Sequence, residues 1–330
     1  ILGKPVLEHQ IELCKRFGFS RIALLVHHQA EAIKDYFGDG THWGVELTYA
    51  HEDEPRGTAG ALADALEWLD EEFLVLYADT YADINLRTFW NNALKHKNTV
   101  GSLLLHPNDH PHDSDLVELG DKGYVQAIRP YPHPEGSSYR NLVNAALYFL
   151  RKTSISSFVP SAGRFDLAKD MFPQIIGAGL KLQSYVTPEY IKDMGTPDRL
   201  DKVEGDIVSG LPERLSDRDL RQAVFIDRDG TINKEVNHLN RPEQLELIPR
   251  AGDALRQLNR AGVLAVGVTN QPVLARGDVS WAGLDAIHGK LDELLGKKKA
   301  YLDGMYVCPH HPDKGFEGEV AELKIECDCR

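Results

Sequence analysis

The residues best suited to chemistry are two aspartates one residue apart, Asp227 and Asp229, in Ala223-Val224-Phe225-Ile226-Asp227-Arg228-Asp229-Gly230-Thr231-Ile232-Asn233. An unperturbed aspartate titrates near ~3.9, so both are ionised at neutral pH. A carboxylate that attacks a phosphate dianion needs a cation between the two anions, and Mg2+ is the one expected. Like-charge repulsion from the first carboxyl raises the proton affinity of the second, which suits it to protonate a leaving oxygen. The same spacing also occurs in calcium loops and in turns carrying two solvated acids. Thr269, followed by Asn270 and Gln271, either donates its hydroxyl to phosphate oxygens or is simply a β-branched strand residue. Arg276, in Leu274-Ala275-Arg276-Gly277, either grips a distal phosphate or lies on the surface. A last group joins Cys308 and one imidazole, His310 or His311, to Cys327 and Cys329. Three thiolates and one imidazole make a complete tetrahedral set for structural Zn2+; free thiols are the other reading.

Patterning supplies the elements that must hold these groups. Ala223 to Ile226 is too short for a helix and suits a strand buried on both faces, after which Gly230 lets the chain turn so that the two carboxyls share one volume. Open α/β sheets bind ligands just beyond such strand ends. Pro249 to Asn259 reads as an amphipathic helix and Val263 to Val268 as a second buried strand. In the first half, helix-like and strand-like segments alternate, the signature of a parallel α/β sheet: strands at 21–27, 45–50 and 73–80, and helices from Pro5, from Ala30 to Phe37, and from Gly57 through Leu69. The third strand ends in Asp79, a candidate metal ligand or a loop carboxylate. Gly57-Thr58-Ala59-Gly60 opens a helix, where a flat or anionic ligand can touch main-chain N–H groups, or where the helix start is merely close-packed. His106, His110, His112 and His133 lie among prolines that break regular ligand spacing, so a solvated loop is expected there.

Composition bounds the rest. A chain of 330 residues suggests two domains, here 1–205 and 222–330, with 206–221 as a polar linker. The expected class is α/β, with two Rossmann-like three-layer domains. A net charge of −13 argues against nucleic acid and anionic membrane surfaces as partners. No apolar run approaches the ~20 residues of a membrane span, and the start lacks the pattern of a signal peptide. A reducing cytoplasm is expected, with three of the four cysteines clustered late as if for metal.

The first half resembles the sugar-phosphate nucleotidyltransferases over about residues 1 to 205. The likeness rests on Leu2-Gly3-Lys4-Pro5-Val6-Leu7-Glu8-His9, Asp35-Tyr36-Phe37-Gly38-Asp39-Gly40, Gly57-Thr58-Ala59-Gly60-Ala61-Leu62, Ala78-Asp79-Thr80, Asn141-Leu142-Val143-Asn144-Ala145 and Lys192-Asp193-Met194-Gly195-Thr196-Pro197. That resemblance implies in-line attack of a sugar 1-phosphate on the α-phosphate of a nucleoside triphosphate, GTP being the expected one. It places Gly57, Thr58, Ala59 and Gly60 against the nucleotide, Asp79 and Asp193 on Mg2+, Asn144 on the sugar and Lys169 on the sugar's phosphate. The family's opening strand and Gly-rich phosphate loop do not precede Ile1, its Gly-Asp is Ala78-Asp79, and its Glu-Lys-Pro is Pro130-Tyr131-Pro132.

The second half resembles haloacid-dehalogenase (HAD) superfamily phosphatases, in particular the D-glycero-D-manno-heptose 1,7-bisphosphate 7-phosphatases, with histidinol-phosphate phosphatases as relatives. The matching blocks are Asp227 to Asn233, Thr269-Asn270-Gln271, Ala275-Arg276-Gly277, Cys308-Pro309-His310-His311-Pro312 and Cys327-Asp328-Cys329-Arg330. By that resemblance Asp227 is the nucleophile and Asp229 the acid/base, both also holding Mg2+. Asn270, Gln271, Arg276 and Arg330 meet substrate, and His310 is the zinc imidazole. The family continues past Arg330 with a lysine and a Gly-Asp, so a fragment cut at both ends is expected, impaired or inactive as it stands. Two other readings stay open: a mannose-1-phosphate-type transferase fused to a histidinol-phosphate-like phosphatase, and a non-catalytic protein, which Ala78 and Tyr131 favour.

Overall fold

The computed structural model describes residues 1–315 and 317–329. In the first half the strands are β1 (Arg21–Val26), β2 (Glu46–His51), β3 (Glu72–Leu76), β4 (Thr80–Asp83), β5 (Gly101–His106), β6 (Leu116–Leu119), β7 (Val125–Arg129), β8 (Val143–Arg151), β9 (Leu182–Val186) and β10 (Tyr190–Asp193). Side chains alternate faces along a strand, and two cores form in consequence. Leu103, Leu105, Tyr148 and Leu150 point to one side with Phe172 and Leu62. Leu104, Leu147 and Phe149 point to the other with Phe89 and Ala93 of the helix Leu86–Lys95. Three layers result, as the alternating pattern predicts.

The sheet itself differs from the parallel one expected. Its order is β7-β6-β8-β5-β9, with β3 also on β8, and β3, β5 and β6 all run antiparallel to β8. The short connection from β6 to β7 is a turn, which joins antiparallel strands, whereas parallel strands need a long crossover. The strands β1 and β2 form a separate parallel pair, and β4 pairs with β10.

The second half contributes β11 (Ala223–Asp227), β12 (Leu264–Asn270) and β13 (Gly304–Cys308), parallel and in that order. Leu255 from the helix Ala251–Ala261 and Ile287, Leu291 and Leu295 from the helix Trp281–Gly296 share one core with Ala265 and Leu302. Both helices therefore cover the same face of the sheet. The expectation that Ala223 to Ile226 is buried on both faces is corrected: Val224 is 40% and Phe225 68% exposed, because β11 is an edge strand covered from one side.

Residues 206–221, expected as a polar linker, are folded. Leu211 and Leu215 of the helix Leu211–Leu215 are buried with Tyr190, Met194 and Val203, and Arg218 pairs with Asp83 at 2.6 Å. Their apolar residues fall on one helical face, a spacing that the surrounding charge masks. The same segment closes over Glu189, whose carboxylate accepts the N–H of Asn85 at 3.0 Å and of Asp217 at 3.3 Å. Burial, then the nearby Asp217 charge, pushes its pKa up to about 7. A raised carboxyl pKa stabilises the fold below the unfolded value near ~4.5, and that stability is lost as pH rises through about 7. Glu189→Gln keeps the acceptor oxygen without the charge. It should be more stable than the parent by roughly 3 kcal/mol at pH 8. The gain should vanish near pH 4.5, as urea melts at both pH values would show; an equal gain at both would refute the assignment.

Candidate active sites

In the second half, pairing Asp227 with Val268 sets Thr269 one residue beyond the tip of β11. Gly230, with φ +76°, turns the chain back so that its N–H bonds the Asn233 carbonyl at 2.8 Å. The predicted residues converge there. Gln271 Nε2 donates to Asp229 at 2.7 Å and to the Thr269 hydroxyl at 2.8 Å, and Asn233 donates to Asp229 at 2.9 Å. Asp227 is exposed, and its Oδ1 accepts the Arg228 N–H at 2.8 Å. Asn270 is exposed at the end of β12.

Arg228 is the residue that sequence reasoning passed over. Its side chain is fully buried and clasps both Asp229 oxygens, Nη2 lying 2.8 Å from Oδ2 and Nε 3.2 Å from Oδ1. This corrects the expectation that a like charge raises the Asp229 proton affinity. Burial pushes that way, but the Arg228 guanidinium with Asn233 and Gln271 outweighs it, and the pKa is lowered. β11 ends at Asp227, so strand alternation does not reach residue 228, and nothing local in the sequence marks its burial.

Arg276 is placed against His238, at 2.9 Å, and His311, at 3.3 Å. Arg330 lies outside the described residues. The ligand atoms of Cys308, His310, Cys327 and Cys329 all lie within 4.8 Å of one another. The Cys308–Cys327 and Cys308–Cys329 sulfurs are 3.6 and 3.2 Å apart, and His310 Nδ1 is 3.2 Å from Cys329. A tetrahedral ion with thiolates at ~2.3 Å spaces its ligands by roughly 3.8 Å, so the set has the size of a zinc site. Donating to the Cys327 and Cys308 sulfurs pushes the Cys329 thiol up to about 12, the crowding that a central cation relieves.

In the first half, the Met194 N–H bonds the Asp79 carbonyl at 2.9 Å and Asp193 stands opposite Thr80, which sets the two acids side by side and exposed. Arg199 holds Asp193 at 2.6 Å. A cavity of about 410 Å³ beside them is lined by Asn144, Lys169, Asp193, Arg199, His106 and His110. The solvated loop expected here is corrected for two of its histidines, while His112 is exposed as expected: His110 is half-buried, His106 is 7% exposed, and burial pulls the His106 pKa down to about 3. Its place at the end of the wholly buried β5 was the signal available.

The Gly57 to Gly60 segment is in part a closed helix start. The N–H groups of Ala59 and Gly60 are taken by the Phe165 carbonyl at 2.9 and 3.4 Å, and Ala59 is fully buried. For these two residues the expected free backbone is corrected. A Cβ on Gly57 would lie 2.6 Å from that same carbonyl, so close packing explains the glycine. Gly57, Thr58 and Asp79 instead line a second cavity, of about 1280 Å³, that opens between the facing edges of β1 and β3. Tyr77 borders both cavities.

A family model described as nucleotidyl transferase matches residues 1–209. The chain belongs to this family. Among relatives of this nucleotidyl transferase, UTP–glucose-1-phosphate uridylyltransferase of Synechocystis is 29% identical over 197 residues, 54% of this chain and 49% of that protein. The second half is similar to D-glycero-beta-D-manno-heptose-1,7-bisphosphate 7-phosphatase of Escherichia coli, 40% identical over 108 residues, 33% of this chain and 55% of that protein. The chain thus spans about half the length of the curated relatives it matches. The crystal structure of HddC from Yersinia pseudotuberculosis shares the fold of the first half, with a TM-score of 0.54 at 22% identity, covering 62% of this chain and 86% of HddC. Its complex with GMP-PN gives 0.52 at 21% identity over the same shares. Among the described residues no helix is long and apolar enough to cross a membrane.

Proposed function

We propose that the chain carries two consecutive steps of nucleotide-sugar synthesis: removal of the 7-phosphate from D-glycero-D-manno-heptose 1,7-bisphosphate by the second half, and nucleotidyl transfer from GTP to a sugar 1-phosphate by the first. The observation that carries the reading is that Asp227, Asp229, Thr269 and Gln271 converge within a segment similar to heptose bisphosphate phosphatases, joined in one chain to a nucleotidyl transferase. The reading takes residues 1–205 and 222–330 as its two domains and a cytoplasmic setting, where the three clustered thiols stay reduced.

In the second half Asp227 attacks phosphorus, the bond from phosphorus to the sugar oxygen breaks, and Asp229 protonates that oxygen. Water then attacks the phospho-aspartate, giving its proton to Asp229. Asp229 can hold that proton only after Arg228 loosens its grip, a change that an incoming phosphate, as a competing anion, would drive. Thr269, Asn270, Gln271 and Arg276 orient the phosphates, with Arg330 as a further contact. The hard oxygens of Asp227 and Asp229, and of Asp79 and Asp193, fit Mg2+, which when bound offsets the charge between carboxylates and phosphate. Cys308, His310, Cys327 and Cys329 fit structural Zn2+. In the first half Thr58 faces the nucleotide with Gly57, the helix start through Ala59 and Gly60 fixes them, and Asn144 and Lys169 take the sugar phosphate.

The test is phosphate release from D-glycero-β-D-manno-heptose 1,7-bisphosphate, which Asp227→Asn should reduce to background while the fold is retained. Undiminished release by that variant would sink the reading. Similarity to a uridylyltransferase supports a second reading of the first half, in which UTP replaces GTP. Pyrophosphate release with each triphosphate and a sugar 1-phosphate decides between them.

A further inference from the structure

The helix Trp281–Gly296 has two buried faces. Ile287, Leu291 and Leu295 serve the core of the second half, while His288, Gly289, Asp292 and Gly296 form an adjacent buried stripe at helical spacing, with Asp285 at its exposed end. That stripe docks on the first half. A Cβ on Gly289 would lie 3.2 Å from the Ser138 carbonyl, and one on Gly296 would lie 2.7 Å from the Pro111 ring, so both glycines mark close approach. Into the same stripe Arg140 extends from the segment just before β8, its Nε 2.9 Å from Asp292 and its Nη1 3.0 Å from Asp285.

On the other side of this contact His288 accepts from Arg228 Nη1 at 3.2 Å. Accepting requires a neutral imidazole. Burial, with the Arg140 and Arg228 charges, pulls the His288 pKa down to about 2. Arg228 in turn clasps Asp229. On the near side the Asp292 carboxylate also accepts the Asn141 N–H at 3.0 Å, and Asn141 exchanges two hydrogen bonds with Asn108 in the wall of the histidine-lined cavity.

We propose that Arg140, a residue of the nucleotidyl transferase half, is a positioning residue for the phosphatase centre: it seats the helix face from which His288 holds Arg228, and so fixes the hand that Arg228 lays on Asp229. The functional end of this chain of contacts rests on the role proposed for Asp229; the contacts themselves do not. Arg140 stands beside the motif Asn141 to Ala145, and the Asp292 carboxylate that it grips also holds the Asn141 N–H behind the wall of the other site.

Side-chain N–H exchange of Arg228, followed by NMR on the full chain without substrate, tests this. Arg140→Met should speed Arg228 Nε–H exchange roughly tenfold while the backbone amides of β12, the central strand of the same half, keep their protection, and Arg140→Lys should restore part of it. A purely structural role would speed both sets together or neither, and either result overturns the proposal. If Arg140→Met does not fold, Gly289→Ala lifts the same contact without altering charge and is judged by the same selective change. Because no turnover is read, failure here is separate from failure of the phosphatase reading, which Asp227→Asn tests.

Discussion

Replacing Cys308 with serine should remove zinc from the protein, from about one ion per chain to none. It should also lower stability by at least ~3 kcal/mol, since metal affinity in such a site is folding free energy. For a chain of this size that is a fall in Tm of about 4 °C. The effect should travel. Cys308 ends β13, and its carbonyl accepts the Gln271 N–H at 2.8 Å, while the Gln271 side chain holds Asp229 and Thr269. Loosening the loop therefore frees the amide that ties the acid to the hydroxyl, and Mg2+-dependent phosphate binding should weaken with the loss of zinc. Metal analysis with thermal melts checks this. Full zinc occupancy in Cys308→Ser, or loss of zinc with an unchanged Tm, would contradict the assignment.

The second large effect is expected at Asp109. Its carboxylate takes Lys192 Nζ at 3.0 Å and Lys202 Nζ at 2.5 Å. Burial opposes its ionisation, but the two lysines outweigh burial and hold its pKa well below the usual range. Lys192 is itself mostly buried, and the loss of water pulls its pKa down. Asp109→Asn would leave that ammonium without its counter-charge, at a cost of about 3 kcal/mol, toward the lower end for a broken buried pair because both partners keep some solvent contact. A lowered carboxyl pKa stabilises above the unfolded value near ~3.8 and is lost only as pH falls through the folded value. The difference between parent and variant should thus persist at neutral pH and shrink in acid. Lys192→Met in the Asp109→Asn background should recover part of the loss, as a double-mutant cycle would measure. A cycle with no coupling energy would show that the pair contributes nothing. Lys192 precedes Asp193, so nucleotidyl transfer should also fall in the single variant.

Much of this was legible in the sequence wherever one local rule acted alone. Ala30–Phe37 and Gly57–Ala65 declare themselves by period and by small residues, and the three late cysteines meet in space as their clustering implies, joined by His310, the imidazole that the resemblance selects. What stayed hidden needed long-range information. That β8 runs antiparallel to its neighbours depends on pairings between segments far apart in sequence, which periodicity does not encode. Arg228 went unremarked between two acids, because the partner that draws it inward, His288, is 60 residues away. His106 and His110 read as loop residues until Lys192, Asp193 and Arg199 came round to face them.

The folded segment 206–221 bears on motion. A flexible tether would give the two halves a spread of separations and an effective concentration set by its length. Here Leu211 and Leu215 are buried, Arg214 reaches the Ala261 carbonyl at 2.9 Å, and Arg218 grips Asp83, so no slack is left for such a spread. The halves should tumble with a single rotational correlation time, and a molecule leaving the site of one half would meet that of the other by diffusing over a fixed distance, not by riding a swinging arm.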